Sequence, residues 1–271
     1  MDPAAYRQFA ELERNHWWFR GRRAVFRGLL GSFLEPSQRR WILDVGCGYG
    51  GMGEVCAPFG RVVGVDLAPE GLAAARRRGF AGVALADALR LPFRNDAFDV
   101  VCLFDVLEHC EDDAATAREC ARCLRPGGLF FATGPAYGFL FAHNDRVARH
   151  RRRYTVRGLR RVLQGSGLRV VKGTYVNALL FPAILPAVLA LKAKERLFPP
   201  KADTTNLSYR VPRALNGLLA AVFSAEGPLL RRISFPAGHS LALLARKDGG
   251  ADGATSRAAD SPARTGRRTS P

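Results

Sequence analysis

The residues best placed to do chemistry are a run of glycines with an acid in front of it. In WILDVGCGYGGMGEVC, residues 41–56, a short apolar run ends in Asp44 and glycines follow at 46, 48, 50, 51 and 53. Glycine leaves out the Cβ, so the backbone of such a turn can approach a ligand closely. A dinucleotide would place its pyrophosphate on the helix N-terminus after the turn. Here the acid precedes the glycines, and a carboxylate in that place repels phosphate and attracts a cation. Asp66 and Asp87 close two further apolar runs. Taken singly, Asp66 could be a helix cap and Asp87 a turn residue. If a hydroxyl acceptor must lose a proton, the candidate bases are His109 in LEHCED, His143 and Asp145 in HND, and His150. The run RHRRRY, residues 149–154, offers guanidinium forks suited to phosphate or carboxylate. Its plainer reading is a solvated basic run ahead of a helix.

These residues need elements to hold them. From residue 41 the pattern alternates: WILDVG as strand, GMGEVCAPFG as short helix, RVVGVD as strand, then APEGLAAARRRG as helix with Pro69 in its first turn and Gly79 at its end. AGVALAD and AFDVVCLFDV follow as strands, DDAATARECARCLRPGG as a helix closed by Pro-Gly-Gly, and GLFFATGP as a fifth strand. This rhythm predicts an α/β fold, a mostly parallel sheet with helices on both faces. Ligands in such sheets sit beyond the carboxyl ends of the strands. A loop covers roughly 135–153, TVRGLRRVLQGSG is an amphipathic helix, and LRVVKGTYV and GHSLALLARK are the last strands. The expected organisation is a helical cap over 1–40, a ligand-binding domain over 41–176, an apolar helical insertion over 177–237, the last strand at 238–247, and a disordered tail over 248–271 that is low in large apolar residues.

The chain has 271 residues, 48% of them hydrophobic, and a formal charge of +17. Such a charge favours anionic partners, whether nucleic acid, anionic lipid or phosphorylated substrates, against the plainer reading of a solvated basic surface. The N-terminus lacks the apolar segment of a signal peptide, and the six cysteines are scattered, so a reduced, cytosolic compartment is expected. Cys120 and Cys123 form a CxxC pair inside a helical pattern and are read as core, with no metal site.

LDVGCGYG resembles the first motif of the class I S-adenosylmethionine-dependent methyltransferases, and four more motifs follow in family order: VVGVDLAP, LADALRLPF, NDAFDVVCLFDVLEHCED and LRPGGLFFATGP. The donor of that family carries an ammonium and a sulfonium and no phosphate, which agrees with the acid at 44. The resemblance covers about residues 42–135 and implies a Rossmann-like, mostly parallel seven-stranded sheet with a large insertion before the last strand. It implies cofactor contacts from Asp44, Gly46, Cys47, Gly48, Gly50, Asp66, Leu67, Asp87, Ala88 and Phe104. Asp66 matches the acid on the ribose hydroxyls and Asp87 the contact to the adenine amine. His109 falls near the transferred methyl group, and His143, on the loop where acceptors bind in this fold, is the favoured base. The flanks NHWWFRGRR, HNDRVARHRRRYT and NALLFP are similar to a bacterial subgroup of type 11 methyltransferases, often associated with glycan, lipid-linked or secondary-metabolite pathways.

HWWFRGRR reads either as an amphipathic helix docking on the sheet or as aromatic residues, His16 to Phe19, that close over the cofactor and exclude water. No charge occurs from Gly173 to Leu191, with cations on both sides and with Pro182 and Pro186 breaking a straight helix. Both ends of that stretch return to one sheet, so a segment lying in a membrane interface is favoured over a span, and an anionic membrane and a small-molecule or lipid-linked, anionic acceptor become candidate partners. The alternatives are a buried helix, or a dimer contact over the site mouth. A nucleic-acid methyltransferase is disfavoured because FDVLEH stands where base amino-methylating relatives resemble an Asn/Asp-Pro-Pro-aromatic tetrapeptide. A non-catalytic, membrane-peripheral protein retaining the cofactor fold is the remaining alternative.

Overall fold

The computed structural model describes residues 12–198 and 211–249. Seven strands, β1 (Trp41–Val45), β2 (Arg61–Asp66), β3 (Gly82–Leu85), β4 (Phe98–Phe104), β5 (Leu124–Pro135), β6 (Leu168–Val176) and β7 (Ser240–Lys247), form one sheet in the order β3-β2-β1-β4-β5-β7-β6. β3 through β5 run parallel, and β7 inserts antiparallel between β5 and β6. The expected mostly parallel seven-stranded sheet is the observed one.

The strands are apolar on both faces because both faces are covered. Leu43, Val45, Val101, Leu103, Phe130 and Ala132 point into one cluster with Ala117 and Cys120 of α4 (Asp113–Cys123) and Leu159 and Leu163 of α6 (Val156–Gln164). The alternate residues Ile42, Val100, Cys102, Leu129 and Phe131 point to the other face, against Phe26 and Leu29 of α1 (Trp17–Leu30). Phe26 stacks on Phe104 at 5.8 Å between ring centroids and meets Phe131 edge-on at 5.5 Å. Such pairs add about 0.5–1.5 kcal/mol to simple burial. Cys120 and Cys123 are buried in this packing.

Local chemistry sets the ends of the helices. Asp112 accepts the Ala115 N–H at 2.7 Å to cap α4, and Thr155 accepts the Gly158 N–H at 3.0 Å to cap α6. α2 (Gly53–Cys56) is a single turn, and α3 (Pro69–Arg77) starts at its proline and is followed by Gly79 at φ +91°. One boundary differs from the sequence expectation. α4 ends at Cys123, and the Pro-Gly-Gly expected to close it lies inside β5. Pairing with β4 jumps there from Phe98↔Leu124 to Val100↔Leu129, so the glycines serve a bulge in the strand. The loop expected over 135–153 contains the short helix α5 (His143–Ala148).

The stretch expected as one apolar insertion divides in two. α8 (Arg213–Ser224) and α9 (Glu226–Leu230) pack on α1: Phe223 lies against Gly21, and Asn216 accepts the Trp17 N–H at 2.8 Å. Glu226, fully buried, accepts the N–H groups of Asn177 at 2.7 Å and Leu179 at 2.9 Å, which fixes the exit from β6. These helices belong to the covering of the sheet. α7 (Phe181–Leu197) buries no residue, and no described helix is long and apolar enough to cross a membrane. α7 also runs unbroken through Pro186. Pro182 lies in the first turn, where no N–H is missed, so Pro186 removes one hydrogen bond rather than ending the helix. The tail expected to be disordered lies, from residue 250, outside the described residues.

Candidate functional site

The carboxyl ends of β1, β2 and β4 meet at the glycine turn. Gly46 has φ +68°, and a Cβ there would stand 2.7 Å from Cγ2 of Val106, just past β4. Gly50 has φ +82°, with Cα of Ala75 in α3 only 2.9 Å from where its Cβ would be. Both conformation and space demand glycine. Asp66, at the end of β2, accepts the Gly48 N–H at 2.8 Å and the Ala68 N–H at 2.9 Å, and so fixes the shape of the turn. Asp44 is 1% exposed, and its Oδ2 has no hydrogen-bond partner. Burial, then the charges of Asp66 and Glu13, push its carboxyl well above the ordinary value. Glu13 lies against Gly51 and pairs with Arg78 at 2.5 Å.

Three carboxylates thus surround a turn from which side chains are excluded. Beside it, Leu67 is 70% and Leu85 62% exposed at the ends of β2 and β3, leaving apolar surface open for a flat ring. This arrangement fits a cationic ligand with an aromatic end, as S-adenosylmethionine is. The unpartnered Oδ2 of Asp44 is the sharpest sign, since a buried carboxylate oxygen without a donor is costly. Two of the expected contact residues have their side chains in the core. The Cys47 side chain is buried, with its thiol pushed far up by burial, and the Phe104 ring is buried between Phe26 and Phe131. Both side chains belong to the core, so only their backbone can meet a ligand. Asp87 accepts the Leu89 N–H at 2.9 Å on an exposed turn, and Ala88 packs on the core.

Past β4 and β5 a second, polar group forms. Arg22 of α1, 4% exposed and lying 4.2 Å over the Trp18 ring, pairs with Asp105 at 2.6 Å. Thr133 of β5 donates to Asp105 at 2.9 Å. Glu108 is fully buried with neither carboxylate oxygen partnered; burial, then Asp105, raises its carboxyl well above the ordinary value. Burial and the neighbouring His150 lower His109 to about 4, so it is neutral at neutral pH. The two rings lie 4.8 Å apart edge to face. Asp145 accepts from His150 Nδ1 at 2.7 Å, from Arg153 at 2.8 and 3.0 Å, and from the Ala142 N–H at 2.8 Å. Burial would raise its carboxyl, but these donors outweigh burial and hold it at about 2.

His143, the favoured base from sequence, starts α5. Its N–H donates to Glu195 of α7 at 3.2 Å, and its Nε2 is buried without a partner. Two of the four arginines in the basic run expected to bind an anion are engaged within the fold. Arg153 is held by Asp145 and the Ala136 carbonyl, and Arg152 by the carbonyls of Cys110 and Glu111 and by Asp113 at 3.1 Å. Of HWWF, Phe19 is 5% exposed and Trp18 lies under Arg22, so this segment docks on the fold rather than standing free as a lid. Sequence reasoning missed Glu13, Arg22 and Thr133. Arg22 and Thr133 lie within quoted motifs and Glu13 lies outside them, but in each case only the three-dimensional pairing reveals the role. Glu108, His109 and His150 each bring a ligand-capable atom within 4.8 Å of the others, a looser grouping than the ~2.0–2.2 Å bonds of a tetrahedral zinc site gather.

Residues 43–132 match the family described as "Methyltransferase domain". A ubiquinone biosynthesis O-methyltransferase of Paracidovorax citrulli is 34% identical over 149 residues, covering 49% of this chain and 62% of that protein. An S-adenosylmethionine-dependent methyltransferase of Mycobacterium tuberculosis is 34% identical over 131 residues, covering 48% of this chain and 46% of that one. The chain therefore spans less than two thirds of these relatives. Among solved structures, a methyltransferase of Thermotoga maritima superposes with a TM-score of 0.56 at 15% identity, covering 92% of this chain and 100% of that chain, which shows the fold.

Proposed function

We propose, for a chain that belongs through its 43–132 domain to the class I S-adenosylmethionine-dependent methyltransferases, an enzyme that transfers a methyl group to a small-molecule acceptor. The observation that carries this reading is the buried, unpartnered oxygen of Asp44 beside Asp66 and Glu13 at the glycine turn. The donor supplies an electrophilic methyl on a cationic sulfur. The chain's own work is placement. Asp66 shapes the turn, the exposed leucines 67 and 85 offer a face to the adenine, and the segment after β4 brings the acceptor side against Gly46 through Val106. Holding two reactants in line accounts for much of the acceleration of such a displacement.

The relatives named for O-methylation favour an oxygen acceptor. A lipid-linked acceptor is the finer reading, supported by α7. Its Glu195 accepts from the His143 N–H and its Phe181 ring stacks 5.8 Å from Tyr137, so a largely exposed apolar helix borders the loop after β5. A nucleic-acid substrate has less support, because Arg152 and Arg153 are engaged internally.

Calorimetric titration with S-adenosylhomocysteine tests the reading, with NAD as control. Binding near micromolar by the former and none by the latter is expected. Asp66→Ala should weaken binding at least ~100-fold, since a charge-assisted partner and the turn's anchor go together. Tight binding by that variant would overturn the site, and no binding by the wild type would sink the enzyme reading.

A further inference from the structure

Imidazole becomes a directed base when one nitrogen is held by a carboxylate and the other faces the reactants. His150 is held in that way. Asp145 is 1% exposed and anchored by Arg153 and by the Ala142 N–H, so its Oδ1 is fixed 2.7 Å from Nδ1 of His150. An ionised carboxylate only accepts, so the proton on this imidazole sits on Nδ1 and Nε2 keeps its lone pair. The His150 side chain remains 17% exposed, within reach of a ligand. The pair borders the segment after β4: His150 lies 4.8 Å from the His109 ring, and Val106, three residues before His109, fills the space beside Gly46.

We propose that Asp145 and His150 form a carboxylate–imidazole pair that removes the proton of a hydroxyl acceptor, with His150 as the catalytic base and Asp145 as its positioning residue. This rests on the methyltransferase reading above. In the step, Nε2 of His150 takes the acceptor's O–H proton as the O–CH₃ bond forms. The methyl leaves sulfur, and the S–C electron pair stays on sulfur. The imidazolium, stabilised by Asp145, then releases the proton to water. The other two histidines named as candidate bases lack the device among the described residues. His109 has no carboxylate partner and is held neutral down to about pH 4, and His143 is fixed only through its backbone N–H to Glu195. The groups facing the pair are Arg153 on its own loop, Glu108 and His109 from the segment after β4, and His239 ahead of β7.

Two measurements on the full chain decide it. Long-range proton–nitrogen NMR should show the Nδ1–H tautomer for His150, lost or mixed in Asp145→Asn; a His150 with Nε2–H in the wild type overturns the pair. Methyl transfer from S-adenosylmethionine is then followed with phenol, catechol and a benzylic alcohol as probe acceptors. His150→Gln should lower kcat ~10²–10⁴-fold, the usual range for losing a general base. Its S-adenosylhomocysteine affinity should match the wild type. Asp145→Asn should lower kcat less, in step with its loss of the Nδ1–H tautomer. His150→Gln with unchanged kcat, no transfer to any probe by wild-type protein that binds S-adenosylhomocysteine, or activity that chelator abolishes and magnesium restores, each overturns the pair while leaving the donor site standing. Failure of the wild type to bind S-adenosylhomocysteine would instead remove the enzyme reading itself.

Discussion

Single residues in this protein carry charge states that only burial explains. His239, just ahead of β7, has its Nδ1 buried without a partner, and burial, then the nearby Arg153, lowers its imidazole to about 4. Above an unfolded value near 6.5 the ring is neutral in both states and contributes no pH dependence. Between about 6.5 and 4 the unfolded chain binds a proton that the folded chain refuses, so stability is lost as pH falls through that window. The loss approaches about 3 kcal/mol for a shift of this size. Urea unfolding at pH 7 and pH 4.5 should show wild type losing roughly 2 kcal/mol more over that interval than His239→Gln. Equal losses would mean that His239 is solvated in the folded protein. Asp44 and Glu108 show the same physics in reverse, as carboxyls pushed up by burial at the two halves of the site.

At the scale of elements, the site is assembled by pairings between segments far apart in sequence. Arg22 belongs to α1, Asp105 follows β4, and Thr133 is in β5, yet they form one network. Replacing Arg22 by methionine keeps the apolar stem and leaves Asp105 without its cation. Breaking a buried pair costs about 3–5 kcal/mol; with the Asp105 side chain 24% exposed, roughly 2–4 kcal/mol is expected from thermal or urea unfolding. An unchanged Tm would show that Asp105 is already solvated. The strands, their order along the chain and the glycine turn were legible in the sequence, because alternation and glycine spacing are local signals. Glu13, Arg22 and the Asp145–Arg153 pairing were not, because partners 65, 83 and 8 residues apart are chosen by packing. The burial of the Cys47 and Phe104 side chains was not legible for a related reason: motif position gives the backbone's place and leaves open which face of it the side chain takes. The helix end at Cys123 was missed because Pro-Gly-Gly serves a strand bulge as well as it ends a helix.

At the scale of the whole molecule, a formal charge of +17 meets an apolar helix with no fully buried residue. Leu189 is 46% and Leu197 75% exposed on α7, with Phe198 at 69% just beyond it, and Lys192, Lys194 and Arg196 are interleaved near its end. Apolar residues next to cations suit an anionic lipid surface, where insertion and charge attraction add. Lys192 reaches the Phe139 carbonyl, so it is engaged with the loop, and Lys194 and Arg196 are the residues to change. Each cation near an anionic surface contributes about 1 kcal/mol, so Lys194→Gln with Arg196→Gln should weaken binding roughly 30-fold. Co-sedimentation should capture the protein on phosphatidylglycerol vesicles, poorly on phosphatidylcholine alone, and release it at about 0.5 M salt, where screening shortens the charge attraction to a few ångströms. Equal capture by both vesicle types would assign the contact to the leucines alone. Capture by neither would overturn the membrane contact of α7.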